Sequence, residues 1–232
     1  MKWFKNSLLL MLAMLVPIIC ISQTISDTFS ECHNINGSSI TLINSLVTKD
    51  GELNINTTDL HIINTTIKGR LTAKTELQVG TQIWMVANLN EGNKYCYNNK
   101  ELNCSIYGGL YLWNTAICPN GWHIPSNAEF TELFNYLGGI SLAGGKLKEA
   151  GYVHWLLPNQ NATNESSFSA IPGGVRWHTG IYYYMGNDAN YWTSTEINNT
   201  TAIYAGASYS IKSATNGQFY KTEGLSVRCI KN

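Results

Sequence analysis

Cysteine placement constrains this chain more than any other feature. Six cysteines stand at Cys20, Cys32, Cys96, Cys104, Cys118 and Cys229, and the compartment decides whether they pair. Met1 to about Ser22 reads as an export leader. Lys2 and Lys5 open it, and Leu8 to Ile21 is one apolar run, too short for a membrane span of roughly 20 residues. Cleavage after Ser22 leaves Gln23 as the new terminus. Lipid attachment at Cys20 is the alternative, but bulky Ile19 precedes it instead of Gly, Ala or Ser. In an oxidising compartment the five remaining cysteines allow two bridges and one leftover. A local bridge could close the polar loop between Cys96 and Cys104. A bridge from Cys118 to Cys229 would tie the start of the distal region to its end, leaving Cys32 over.

Charge narrows the function classes. Fifteen Lys plus Arg balance fifteen Asp plus Glu, and loss of Lys2 and Lys5 makes the mature chain slightly acidic. A nucleic-acid partner is therefore not expected. No second apolar stretch reaches membrane length, so no transmembrane segment is expected in the mature chain.

Residues 23–78 differ from the rest. They hold no Trp or Tyr and a single aromatic, Phe29. Short alternations such as Ile40/Leu42, Leu53/Ile55, Leu60/Ile62 and Leu71/Ala73 predict β-strands. The roughly seven-residue spacing drifts, leaving a small solenoid or a β-meander equally open. This segment is read as a β-rich stalk.

Residues 79–232 carry every Tyr and all Trp except Trp3. Ser126-Asn127-Ala128-Glu129 is a capping box, and Phe130, Leu133, Phe134 and Leu137 follow at the spacing of one buried helical face. Gly138-Gly139 supplies the stop. Leu110, Tyr111, Trp113 and Ala116 predict a shorter helix from about Tyr107 to Ile117, with Cys118 at its end. Lys146 to Ala150 could add a further turn. Short strands are expected at 167–171, 180–185, 191–195, 202–210 and 225–230. Helices followed by many short strands predict an α+β fold.

Several blocks carry a resemblance. Gly80-Thr81-Gln82-Ile83-Trp84-Met85-Val86-Ala87-Asn88-Leu89, Tyr107-Gly108-Gly109-Leu110-Tyr111-Leu112-Trp113 and Cys118-Pro119-Asn120-Gly121-Trp122-His123-Ile124-Pro125-Ser126 resemble the Fibrobacter succinogenes major paralogous domain. So do Phe168 to Gly174, Tyr191 to Glu196 and the closing Gly224-Leu225-Ser226-Val227-Arg228-Cys229. The resemblance spans about residues 79–231 and extends more broadly to C-type lectin-like domains. It implies a bacterial exported domain with neighbouring termini, two helices and a twisted antiparallel sheet. Calcium-dependent sugar binding is not implied, because Leu157-Pro158-Asn159 lacks the carboxylate such lectins place beside that proline.

Candidate sites are few. His123 reads as a histidine satisfied at the corner before the capped helix. His154 and His178 each neighbour a Trp, without Asp, Glu or Cys at ligand spacing, so no metal site is expected. No nucleophile motif appears, and no cofactor is expected. The stretch from Tyr152 to Trp192 is rich in aromatics among Asn, Gly and Thr, a combination suited to stacking on sugars or to a protein contact. Trp155, Trp177 and Tyr183 are the candidate ligand-binding residues. The chain is thus read as an exported extracellular or outer-surface protein that is not an enzyme and binds a glycan or a surface protein. The alternatives are a structural or assembly subunit of the envelope, and a polysaccharide hydrolase drawing on Glu149, Glu165, Asp188, Glu196 and Glu223.

Overall fold

A computed structural model describes residues 75–232 in full and, by backbone alone, the strands between Thr28 and Ala73. The leader, Cys20 and Cys32 lie outside the described residues. The chain divides into two compact units, Met1–Lys74 and Thr75–Asn232.

In the first unit, six strands are described: β1 (Thr28–Phe29), β2 (Asn34–Asn36), β3 (Ile40–Ile43), β4 (Leu46–Asn56), β5 (Leu60–Ile63) and β6 (Thr66–Ala73). All of their pairings are parallel. Asn34 aligns with Asn54, Ile40 with Leu60 and Leu46 with Thr66, each 20 residues further on. Parallel neighbours cannot be joined by a tight hairpin. Thr28 aligns with Leu46 and Glu52 with Arg70 at an offset of 18, and parallel offsets of 18 to 20 residues are the pairing of stacked coils, which an antiparallel meander does not produce.

The second unit is α+β. Its first sheet runs in the order β7 (Glu76–Val79), β8 (Gln82–Met85), β15 (Ile230–Lys231), β9 (Trp122–His123), all antiparallel. The last strand of the chain therefore lies between two strands from the first half of the unit. A hairpin of β10 (Val175–Arg176) and β11 (Tyr182–Tyr183) follows, then a sheet of β12 (Asp188–Glu196), β13 (Thr201–Ser208) and β14 (Ala214–Tyr220). The helices are α1 (Glu101–Tyr107), α2 (Asn127–Tyr136) and α3 (Ile140–Leu147).

Helix α2 follows its sequence signal. Ser126 Oγ accepts from the Glu129 amide, and the Glu129 carboxylate accepts from the Ser126 amide at 2.6 Å. Phe130, Leu133, Phe134 and Leu137 are buried, with Phe130 5.1 Å from the ring of Trp84. Gly138 and Gly139, both at positive φ, end the helix. Helix α3 then runs from Ile140 to Leu147, so only the first two residues of the turn expected at 146–150 are helical.

The helix expected over Tyr107–Ile117 is not there; α1 ends where it was to begin. Gly108 adopts φ +79°, and a Cβ there would lie 2.6 Å from Asn88 Cβ. The Gly109 amide donates to Leu89 O at 2.8 Å. This close approach keeps the following backbone extended, so that Leu110 bridges Tyr95 and Tyr111 bridges Leu225. Both side chains are buried because the segment is covered on both sides, which imitates a helical spacing. Cys118 consequently follows a turn, not a helix. The strand expected at 167–171 reduces to a bridge at Ala170, and the strand expected at 225–230 to bridges at Leu225 and Ser226 before β15.

Both bridges form: Cys96–Cys104 with Cα atoms 4.9 Å apart, and Cys118–Cys229 at 6.0 Å. Around the second, the terminal segment is held on several sides. Met85 donates to Cys229 O, Leu89 to Val227 O and Trp192 to Ser226 O, at 2.8 to 3.0 Å. Fully buried Arg228 donates twice to Asn88 Oδ1 and once to Phe168 O, with its guanidinium 4.3 Å from the Phe168 ring. Lys148, also buried, gives its ammonium to the carbonyls of Gln160, Ser208 and Ile211, each at 2.9 Å. That single ammonium ties the end of α3 to the loop at Gln160 and to the β13–β14 connection.

Loop length ranks the two bridges. Closing a loop of about 110 residues removes about 4.7 kcal/mol of unfolded-chain entropy, against about 2.6 kcal/mol for the nine-residue loop. Denaturant titration of a Cys118→Ser/Cys229→Ser protein should show the larger loss of stability, and Cys96→Ser/Cys104→Ser the smaller. An equal loss for both pairs would contradict this ranking.

Candidate functional site

The hairpin β10–β11 is shaped by two glycines. Gly174 has φ +73°, and a Cβ on it would meet Tyr183 O at 2.5 Å, so only glycine lets this strand start so close to its partner. Gly180, at φ +84°, turns the tip, its amide donating to Trp177 O while Trp177 N donates to Ile181 O, both at 2.8 Å. The register pairs Val175 with Tyr183 and Arg176 with Tyr182. Alternation then sends the two pairs to opposite faces.

One face is tied down. Arg176 lies 4.0 Å over the Tyr95 ring, and its backbone exchanges two hydrogen bonds with Gly224. Tyr182 packs 5.2 Å from Tyr97 and donates its hydroxyl to Asn99 Oδ1 at 2.8 Å. The small disulfide loop thus buttresses the hairpin. The other face carries Trp177, Tyr183 and Tyr184, which are 37%, 39% and 45% exposed. Their ring centroids are 5.1 Å apart for Trp177–Tyr183 and 5.9 Å for Tyr183–Tyr184. Tyr184 holds φ +67°, a left-handed conformation that costs a side-chain-bearing residue about 1–2 kcal/mol. Its carbonyl takes the amides of Asn187 and Asp188 in return.

Trp177 and Tyr183 are therefore brought together, and Trp155 is not part of the site. Trp155 is 2% exposed and donates its indole N–H to Ala170 O at 2.9 Å. An indole buries readily once its N–H is satisfied. Its apolar neighbours Tyr152, Val153, Leu156 and Leu157 are the exposed ones instead. Tyr184 takes its place in the cluster; strict alternation would group Tyr184 with Tyr182 against Tyr183, but at φ +67° its ring lies 5.9 Å from that of Tyr183.

The histidines are paired more closely than their spacing suggested. His154 Nδ1 lies 2.8 Å from the buried Glu149 carboxylate. His178 Nδ1 lies 2.9 Å from Glu223, whose other oxygen accepts the His178 amide at 2.8 Å. Glu223 is 45 residues away in sequence, so no local spacing could reveal it. His123 bridges Asn232 and Glu129 at 2.7 and 2.8 Å, as expected of a satisfied corner histidine. Cys96, Cys104 and Glu101 converge in space, but both sulfurs are spent in the bridge. Of the carboxylates considered for hydrolysis, Glu149 and Glu223 hold histidines, Glu165 faces Lys146 and Glu196 faces Lys221. Burial raises Asp188, opposed by a hydrogen bond from Ser208.

Two outcomes follow from these placements. Trp155→Ala should cost about 3–5 kcal/mol of stability, whereas Trp177→Ala should stay within about 1 kcal/mol, as read by thermal or urea unfolding. The second concerns His123 and Glu129. Partial burial disfavours both charges, but the hydrogen bonds that His123 gives to Asn232 Oδ1 and to Glu129 prevail, lifting it above 6.5. For Glu129, burial is outweighed by hydrogen bonds from Ser126 and His123, which hold it below 4.5. A raised histidine stabilises below its unfolded value and loses that contribution as pH rises through its folded one. A lowered carboxylate does the reverse. The advantage of the unaltered protein over His123→Gln should therefore peak between about pH 4.5 and 6.5 and shrink on either side, as measured by urea midpoints across pH 3.5 to 8.5. A constant difference across that range would contradict the pairing.

No curated protein and no solved structure matches the chain. One family description does, that of the Fibrobacter succinogenes major domain, over residues 65–231. The match begins upstream of the resemblance read from Val79 onward and takes in the whole fully described unit except its last residue. The chain belongs to the Fibrobacter succinogenes major domain family.

Proposed function

We propose that this is an exported bacterial protein, surface-held or secreted, whose second unit is a non-catalytic C-type lectin-like domain that binds a glycan. The observation that carries the reading is the exposed triplet Trp177, Tyr183 and Tyr184 on a hairpin braced from behind. Aromatic faces held in place before binding cost little entropy to use, and their flat surfaces suit pyranose rings. The lectin-like fold is supported by the first and last strands of the unit sharing one sheet and by the bridge joining Cys118 to Cys229. Export is supported by the leader and by two disulfides. Among the described residues no helix is long and apolar enough to cross a membrane.

A glycan array followed by titration against bacterial and host polysaccharides tests the reading. Trp177→Ala and Tyr183→Ala should each weaken the best ligand about tenfold, a loss of about 1.4 kcal/mol, with unfolding midpoints little changed. Silence across the array, or undiminished binding by both variants, would overturn it.

A further inference from the structure

The loop at the tip of the hairpin carries a second organised group beside the aromatic triplet. His178 follows Trp177 directly and is 58% exposed, while the Glu223 carboxylate that grips it is only 5% exposed. Glu223 Oε2 accepts the His178 backbone amide and Oε1 faces Nδ1. An ionised carboxylate only accepts, so the ring nitrogen facing it must carry the proton. In the neutral imidazole Nε2 is then left as a bare acceptor. Nothing among the described residues bonds to that atom.

Burying a carboxylate costs several kcal/mol of lost hydration. The hairpin is already fastened to the neighbouring residue, Gly224, by two backbone bonds of 2.7 and 2.9 Å. An apolar side chain at 223 would pack there without that cost. What the glutamate adds is a fixed orientation and tautomer for an exposed imidazole, in the way that a second-tier carboxylate orients a ligating histidine.

We infer that His178 is the polar selector of the binding face: its Nε2 accepts a hydrogen bond from a hydroxyl of a neutral sugar whose ring stacks on Trp177, and Glu223 is its positioning residue. This rests on the glycan reading above. Nε2 can take a hydrogen bond from a sugar hydroxyl but not from a carboxylate, so a ligand that places a hydroxyl at this atom is favoured over one that places a carboxylate there.

The test has two arms on the full mature protein. Nitrogen-15 spectra of histidine-labelled protein at pH 8 should show His178 protonated at Nδ1 and bare at Nε2, and Glu223→Gln should abolish that preference. Titrations with cellohexaose, xylohexaose, mannohexaose and trigalacturonate should show at least one neutral oligomer binding more tightly than the acidic one. His178→Ala should weaken that neutral ligand about fivefold, the worth of one hydrogen bond. A His178 protonated at Nε2 would overturn the inference. So would His178→Ala binding as well as the unaltered protein while Trp177→Ala loses affinity, a result that leaves the glycan reading standing. Binding of none of the four oligomers would overturn this inference, whereas the glycan reading falls only to silence across the array.

Discussion

The terminal segment Leu225–Lys231 is the strut on which the second unit is assembled. Its backbone bonds to Tyr111, Trp192, Leu89, Met85 and β9 in turn, residues spread from position 85 to position 192. Arg228 extends the same segment sideways to Asn88 and Phe168, and Cys229 locks it to Cys118. A buried guanidinium without a carboxylate partner is tolerable because three donors find carbonyl or amide oxygens and the cation rests on an aromatic face. Because the segment bonds residues as far upstream as Met85, a fragment of the unit that stops before Leu225 lacks part of its core.

Where local physics decides, the sequence was readable. The capping box at Ser126 and Glu129, the buried stripe of α2 and the glycine stop depend on neighbours within one or two turns. The two bridges followed from compartment and loop closure. The helix expected over Tyr107–Ile117 failed because Gly108 and Gly109 let the backbone press against Asn88 and Leu89, a long-range demand that local periodicity does not register. In the first unit the period near seven hid a longer one of 18 to 20, as in Ile43-Asn44-Ser45 against Ile63-Asn64-Thr65.

The aromatic face of the hairpin shows the same division. The aromatic-rich stretch contains the hairpin that bears Trp177, Tyr183 and Tyr184, and alternation separated Tyr182 from Tyr183. Which tryptophan faces water depended on whether its N–H found a buried acceptor: Trp155 found Ala170 O, and Trp177 stayed at the surface. The pairing of His178 with Glu223 required the return of the chain 45 residues later to the edge of β10. The same return that closes the fold also builds the His178–Glu223 pair on its surface.

Native-state hydrogen exchange tests the central role of the terminal segment most directly. The amides of Met85, Leu89 and Trp192 donate to the carbonyls of Cys229, Val227 and Ser226. They should exchange only through global unfolding, with one common free energy and one common dependence on denaturant. Fast exchange at these three amides while α2 remains protected would mean that the tail frays from a core that stands without it, and would contradict the account.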